Sequence, residues 1–199
     1  MDSIITTYLS GLKIGALQNF SNMSIAPLFA EANGDPEYAL LKEAMDHGLL
    51  TVTEIDQSGS VPELKVTNAS EVSVLLLDGE ELMGAKQNRV LNTTILLKGQ
   101  SETVIPVSCT EQGRWAYSSE SFSHSDSVMS QSSRASKAHT VTASLRAGRG
   151  YSSDQRRVWA DAERVLEQSG TSSTTGAMHD AYVAKAEELK AYAQAFPCV

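Results

Sequence analysis

The sequence predicts an α+β domain: a mainly antiparallel β-sheet or sandwich over about residues 11–110, followed by two C-terminal helices at about 153–168 and 177–195. Three observations carry that prediction. Runs dense in Val, Ile, Leu and Thr recur between residues 49 and 109, each closed by turn residues. No helical crossover separates them, and antiparallel pairing is what short connections permit. Beyond residue 150 the texture changes to capped, amphipathic stripes with helical spacing.

In chain order, "LKIGALQNF" and "MSIAPLF" read as strands. "NGDPEYALLKEAMDHGLL" reads as a helix over 36–47: Asp35 is the N-cap, Pro36 the first helical residue, Leu40, Leu41, Ala44 and Met45 the apolar stripe, and Gly48 the stop. "LLTVTEI" (49–55), "ELKVTN" (63–68), "EVSVLLL" (71–77), "VLNTTILL" (90–97) and "ETVIPVSC" (102–109) read as strands. Residues 118–136 hold ten serines in nineteen, which predicts a solvated, mobile loop with at most one short helical piece and little apolar surface to offset ordering. The helix at 153–168 has a Ser152/Gln155 capping box and an apolar face of Val158, Trp159, Ala162, Val165 and Leu166. The helix at 177–195 carries Met178, Tyr182, Ala186, Leu189 and Ala193 on one stripe and stops at Pro197.

A length of 199 residues suits a single domain spanning 1–199, with room for a real core. No run of about 18 apolar residues occurs, so no membrane partner is expected. The N-terminus lacks the basic start and apolar segment of a secretory signal. With two cysteines, Cys109 and Cys198, in no zinc spacing, a reduced cytoplasmic setting is the simplest reading. A net charge of −8 argues against nucleic-acid binding. The charge is uneven: residues 31–81 carry twelve Asp and Glu against two Lys, whereas 131–157 carry six Arg and Lys against Asp154 alone. That basic segment either pairs with the acidic half or marks a site for an anionic small molecule.

Three polar blocks are candidate sites. The first is "LDGEELMGAKQNRVLN", with Asp78, Glu80, Glu81, Lys86, Gln87, Asn88, Arg89 and Asn92. Asp78-Gly79 signals a hairpin turn. "AKQNR" has two cations and two amides with neither Gly nor Pro, more than a turn requires; such groups read ligands with both donors and acceptors. The second is "CTEQGRWAYSS", with Glu111, Gln112, Arg114 and Trp115; Trp115 is either core or a stacking surface beside an Arg. The third is "SLRAGRGYSSDQ", where Arg149 and its glycines precede a helix start, a weak anion-site signal. His47, His124, His139 and His179 show no metal spacing, no G-x-S-x-G elbow is present, and Cys109 reads as a buried inert thiol. No metal and no cofactor are expected.

"LLLDGEELMGAKQNRVLNTTILL", "IPVSCTEQGRW" and "SLRAGRGYSSDQRRVW" together resemble the ARG and rhodanese-phosphatase-superfamily-associated protein domain, over roughly Val72 to Pro197. The resemblance carries no assigned catalytic residues. It implies a role around NAD-derived or ADP-ribose-like compounds, from the family's association with ADP-ribosylglycohydrolases. Relatives continue into further strands past Pro197, so the resemblance also implies a short or truncated C-terminus here, with an exposed sheet edge or an oligomeric partner. Two functional expectations result. One is recognition or processing of an ADP-ribose or NAD-derived nucleotide, with Glu81 as acid/base, Arg89 and Arg114 on phosphate, and both segments lining one pocket. The alternative is a non-catalytic β-sandwich module that binds a protein or saccharide, with a purely structural protein as a third class.

Overall fold

The computed structural model of the chain describes residues 3–30 and 37–197. These fall into two compact units: residues 37–184, and a smaller one from the described residues of 1–36 and 185–199. The smaller unit opens with α1 (Ser3–Ser10) and four short strands, β1 (Lys13–Ile14), β2 (Gln18–Phe20), β3 (Met23–Ile25) and β4 (Leu28–Phe29), pairing as β1–β4 and β2–β3.

The main unit runs β5 (Tyr38–Leu40), α2 (Leu41–Asp46), β6 (Leu50–Thr53), β7 (Glu63–Asn68), β8 (Ser73–Leu76), β9 (Glu80–Gly84), β10 (Arg89–Leu91), β11 (Ile95–Leu97), β12 (Ser101–Cys109), β13 (Phe122–Val128), α3 (Gln131–Arg146), α4 (Gln155–Ser169) and α5 (His179–Ala184). The chain then returns to the smaller unit as α6 (Ala186–Ala195). There Phe20 meets Tyr192 and Phe196 edge-on, and the Tyr192 hydroxyl donates to Asn22 Oδ1 at 2.6 Å.

Six strands of the main unit form an antiparallel sheet in the order β13-β9-β10-β12-β7-β6, curled into a half-barrel. A three-stranded sheet, β11-β8-β5, faces it, and its β5–β8 pair is parallel. Between them lies the larger core: Val52, Leu64, Val66, Leu82, Leu91, Ile105 and Val107 pack against Val74, Leu76 and Leu97 and against Leu41 and Ala44 of α2. Each such fully buried Val or Leu stabilises the fold by about 1.5–3 kcal/mol relative to exposure. On the opposite face of the large sheet, Val90 packs with Met129, with Val158 and Ala162 of α4, and with Met178 just before α5.

The α+β class and the mainly antiparallel sheet are as the sequence predicts; several elements differ. The helix expected over 36–47 is only α2: residues 38–40 pair with β8 instead, with Leu40 extended at φ −87°, ψ 159°. Asp35 and Pro36 lie outside the described residues. Residues 90–97 split into β10 and β11, which belong to different sheets. The 153–168 helix is α4, capped by Asp154, whose side chain accepts from the N–H groups of Arg156 and Arg157, and not by Ser152. The 177–195 helix is broken at Lys185 into α5 and α6.

The largest correction falls on the serine-rich segment, most of which forms regular structure and is not a loop. Its residues 122–128 form β13, the edge strand against β9, and from Gln131 it begins α3. Strand pairing is made by backbone groups, so serine side chains do not prevent it. The helix has no apolar stripe: its buried positions are Ser133, Lys137, Val141 and Ser144.

Candidate functional site

Residues 85–88, "AKQN", are the turn that joins β9 to β10. Turn and polar cluster are therefore the same object, and Lys86, Gln87 and Asn88 are all buried in it. Gly84 and Ala85, at φ 116° and 40°, bend the chain; a Cβ on Gly84 would sit 2.4 Å from Ser119 Oγ. The segment after β12 is tied to this turn. Asn88 N–H donates to Glu111 Oε2 (3.1 Å), Gln87 Nε2 donates to the Glu111 carbonyl (2.8 Å), and Thr110 N–H donates to the Asn88 carbonyl (3.0 Å). Arg114 grips Glu111 through Nε and Nη2 (2.9 and 2.6 Å) and donates Nη1 to the Ala85 carbonyl (2.7 Å). Burial disfavours charge on Glu111, but its bonds from Arg114, Thr175 and Asn88 outweigh this and hold its carboxyl below the ordinary range.

Arg89 opens β10 and is fully buried. Nη1 donates to Gln87 Oε1 (3.0 Å) and to Cys109 Sγ (2.9 Å). Its Nη2 stands 3.7 Å from Glu54 Oε1. Arg89 Nε and Nη2 and Glu54 Oε2 are buried without a hydrogen-bond partner, an arrangement native proteins keep scarce because each such atom costs about 1–3 kcal/mol. Burial pushes the Cys109 thiol up to about 11, which makes it inert, as its sequence context suggests.

Above this layer lie two aromatic rings. Lys86 Nζ is 5.2 Å from the ring centre of Trp115 and 5.1 Å from that of Tyr117, and Arg89 Cζ is 5.7 Å from Trp115. Trp115 is not core: 48 % of its surface is exposed, as is 51 % of Tyr117. Lys86 Nζ also donates to the carbonyls of Gln57 and Ser58 (2.7 and 2.6 Å), which brings the β6–β7 loop to the same corner.

Glu81 is not part of this cluster. The β9–β10 register pairs Arg89 with Leu82 and Val90 with Glu81, and alternate residues face opposite sides of a sheet. Glu81 therefore shares the helix-covered face with Val90, and the expectation that Glu81 and Arg89 line one pocket is corrected. Glu81 Oε1 accepts from Thr110 Oγ1 (2.7 Å), and Oε2 faces His179 Nδ1 at 3.4 Å. That carboxylate raises the pKa of His179 against its partial burial.

The other expected site residues lie elsewhere. Asp78 pairs with buried Lys137. Glu80 Oε2 accepts from Leu77 N–H (2.7 Å). Asn92 donates to the carbonyls of Val107 and Tyr151. Gln112 is exposed, and Arg149 lines a separate cavity beside α3. Sequence reasoning missed Glu54, Thr110 and His179 as site residues. Glu54 was legible: Leu50, Val52 and Glu54 are successive inward positions, an acid where the alternation calls for an apolar residue. Among the described residues, no group of three or more His, Cys, Asp or Glu is placed to hold a metal ion, and no helix is long and apolar enough to cross a membrane.

The model of the ARG and Rhodanese-Phosphatase-superfamily-associated Protein domain, ARPP-1, matches residues 11–199. The chain belongs to the ARPP-1 family. The match extends the likeness beyond the three polar blocks, N-terminally to residue 11, so the ARPP-1 domain takes in the sequence from β1 onward. No curated protein and no solved structure matches this ARPP-1 chain.

Proposed function

We propose that this protein recognises an ADP-ribose or NAD-derived nucleotide at the Trp115–Lys86–Arg89 corner. The observation that carries the reading is an exposed aromatic pair set directly over two cations, with Arg89 Nε and Nη2 and Glu54 Oε2 left unpartnered beneath it. A base or ribose face stacks on Trp115 or Tyr117, and Lys86 and Arg89 beneath the rings supply the positive charge that attracts phosphate. The likeness to a family named for its association with ADP-ribose chemistry supports the choice of ligand. The proposal is recognition, with no acid–base step assigned to Glu81, because Glu81 and Arg89 are on opposite faces of the sheet. A cytoplasmic setting goes with this reading, since that is where such nucleotides and a free thiol such as Cys109 occur together.

Titration calorimetry with ADP-ribose tests it. Wild type gives saturable heat, and Trp115→Ala, a change at an exposed ring, weakens binding by about 1–3 kcal/mol, the range for one stacked base. No heat with any adenine nucleotide sinks the proposal. Heat with oligosaccharides instead would favour a non-catalytic module, because the exposed Trp115–Tyr117 pair also suits a sugar face.

A further inference from the structure

A cavity of about 460 Å³ opens between the C-terminal half of α3 and the loop leading into α4, lined by His139, Thr140, Ser144, Arg149, Ser152 and Ser153 among others. It shares no residue with the Trp115 corner. Some of its polar groups are spent within the protein. Thr140 Oγ1 donates to the Lys137 carbonyl and accepts from Asp154 N–H, and Ser153 Oγ meets Ser108 Oγ at 2.5 Å. Asp154, the acid in the lining, caps α4 by accepting from Arg156 and Arg157 N–H.

Four donors are left. Ser144 is 5 % exposed, and its Oγ is buried without a partner. No hydrogen bond or ion pair engages the side chains of His139, Arg149 or Ser152 among the described residues. A serine hydroxyl normally finds a local backbone acceptor in a helix, so a buried and unpaired one on a residue that lines a cavity calls for an explanation. The surrounding field is positive as well. Of the six cations in residues 131–157, Lys137 is consumed by Asp78, while Arg146, Arg149 and Arg156 form no ion pair among the described residues.

We propose that this cavity is a second binding site, for the phosphate group of a small phosphorylated molecule. Two hydroxyls, a guanidinium and an imidazole supply donors, and a phosphate supplies several acceptor oxygens with charge opposite to Arg149. Arg149 provides the charge and bidentate geometry, and Ser144 the buried bond that fixes depth. A neutral sugar or an amine would leave the Arg149 charge unanswered. The site is independent of the Trp115 corner, so the two readings stand or fall separately.

A ¹H–¹⁵N NMR titration of the full chain with inorganic phosphate, at low ionic strength and with chloride as the control, tests this. Saturable shifts are expected at Ser144, Arg149, Ser152 and Ser153. Arg149→Ala, at an exposed position, weakens the apparent affinity by about ten-fold or more, the scale of a lost charged hydrogen bond. Ser144→Ala weakens it by a smaller factor while leaving the spectrum otherwise native. Trp115→Ala leaves the shifts at Ser144, Arg149, Ser152 and Ser153 unchanged. An adventitious ion only, seen as shifts that do not saturate or that chloride reproduces, would overturn the proposal. So would shifts confined to the Trp115 corner, or an Arg149→Ala affinity within about two-fold of wild type, which is less than one weak hydrogen bond contributes.

Discussion

Lys137 and His179 show how single charges are held in this fold. Lys137 is fully buried, and burial lowers its pKa against the opposing pull of Asp78. Its ammonium pairs with Asp78 and donates to the Leu91 carbonyl at 2.8 Å, so it ties α3 to β10 and to the turn before β9. Removing one partner of such a pair leaves a buried charge uncompensated, and Asp78→Ala is expected to cost about 3 kcal/mol in urea denaturation. Gly79 completes the turn: it sits at φ 88°, and a Cβ there would lie 2.4 Å from Arg134 Cδ. His179 has the opposite shift, raised by Glu81 above its ordinary value. The imidazolium is favoured in the folded chain, so this pair stabilises fully below about pH 6.5, the unfolded value, and its contribution is lost as pH rises through the raised folded value. The stability difference between wild type and His179→Gln should therefore be larger at pH 6 than at pH 8, as read from paired urea melts. Equal differences at both would show that the pair carries no linkage.

At the scale of elements, side chains finish what backbone pairing leaves open. Cys109 ends β12, paired to Arg89 on one side. On its other side the Gln155 amide accepts from Cys109 N–H and donates to its carbonyl, both at 2.8 Å, so the first residue of α4 continues the ladder where no strand does. Gln155→Ala leaves both backbone groups without this partner and is expected to cost about 1–3 kcal/mol, read from the shift in denaturation midpoint. The serine-rich segment gives a second test. Phe122 is buried and paired with Gly84, whereas Tyr117 lies half-exposed in the stretch before β13. Chymotrypsin should cut after Tyr117 before it cuts after Phe122; the reverse order would mean that β13 is not a stable part of the sheet.

For the molecule as a whole, burial is concentrated in one unit. Among the described residues, the buried apolar ones all fall between Leu41 and Ala181, and α1 and α6 contribute none. Local opening is cheapest where few apolar contacts must be broken. Hydrogen exchange should therefore be slowest in β7, β10 and β12 and faster in α1 and β1–β4, which mass spectrometry of peptic fragments would resolve. Comparable protection in residues 3–30 and 63–109 would contradict the burial pattern.

The sequence by itself determined the elements whose character is local. β7 and β12 were visible as apolar runs between turns, α4 as a stripe, and the density of polar groups in "AKQNR" and "TEQGR" as something beyond a turn. These signals survive folding because they depend on residue type and period. Tertiary structure decided the rest. Glu81 and Arg89 are close in sequence, yet the cross-strand register sets them on opposite faces, and a slip of one residue would have exchanged them. Trp115 became a surface ring because the Lys86 turn and the β6–β7 loop meet beside it. β13 and α3 had no apolar period to announce them. The strand is held by backbone bonds to β9, and the helix in part by an ion pair between residues 59 apart. Contacts of that kind depend on which segments the whole chain brings together, and no window of the sequence contains them.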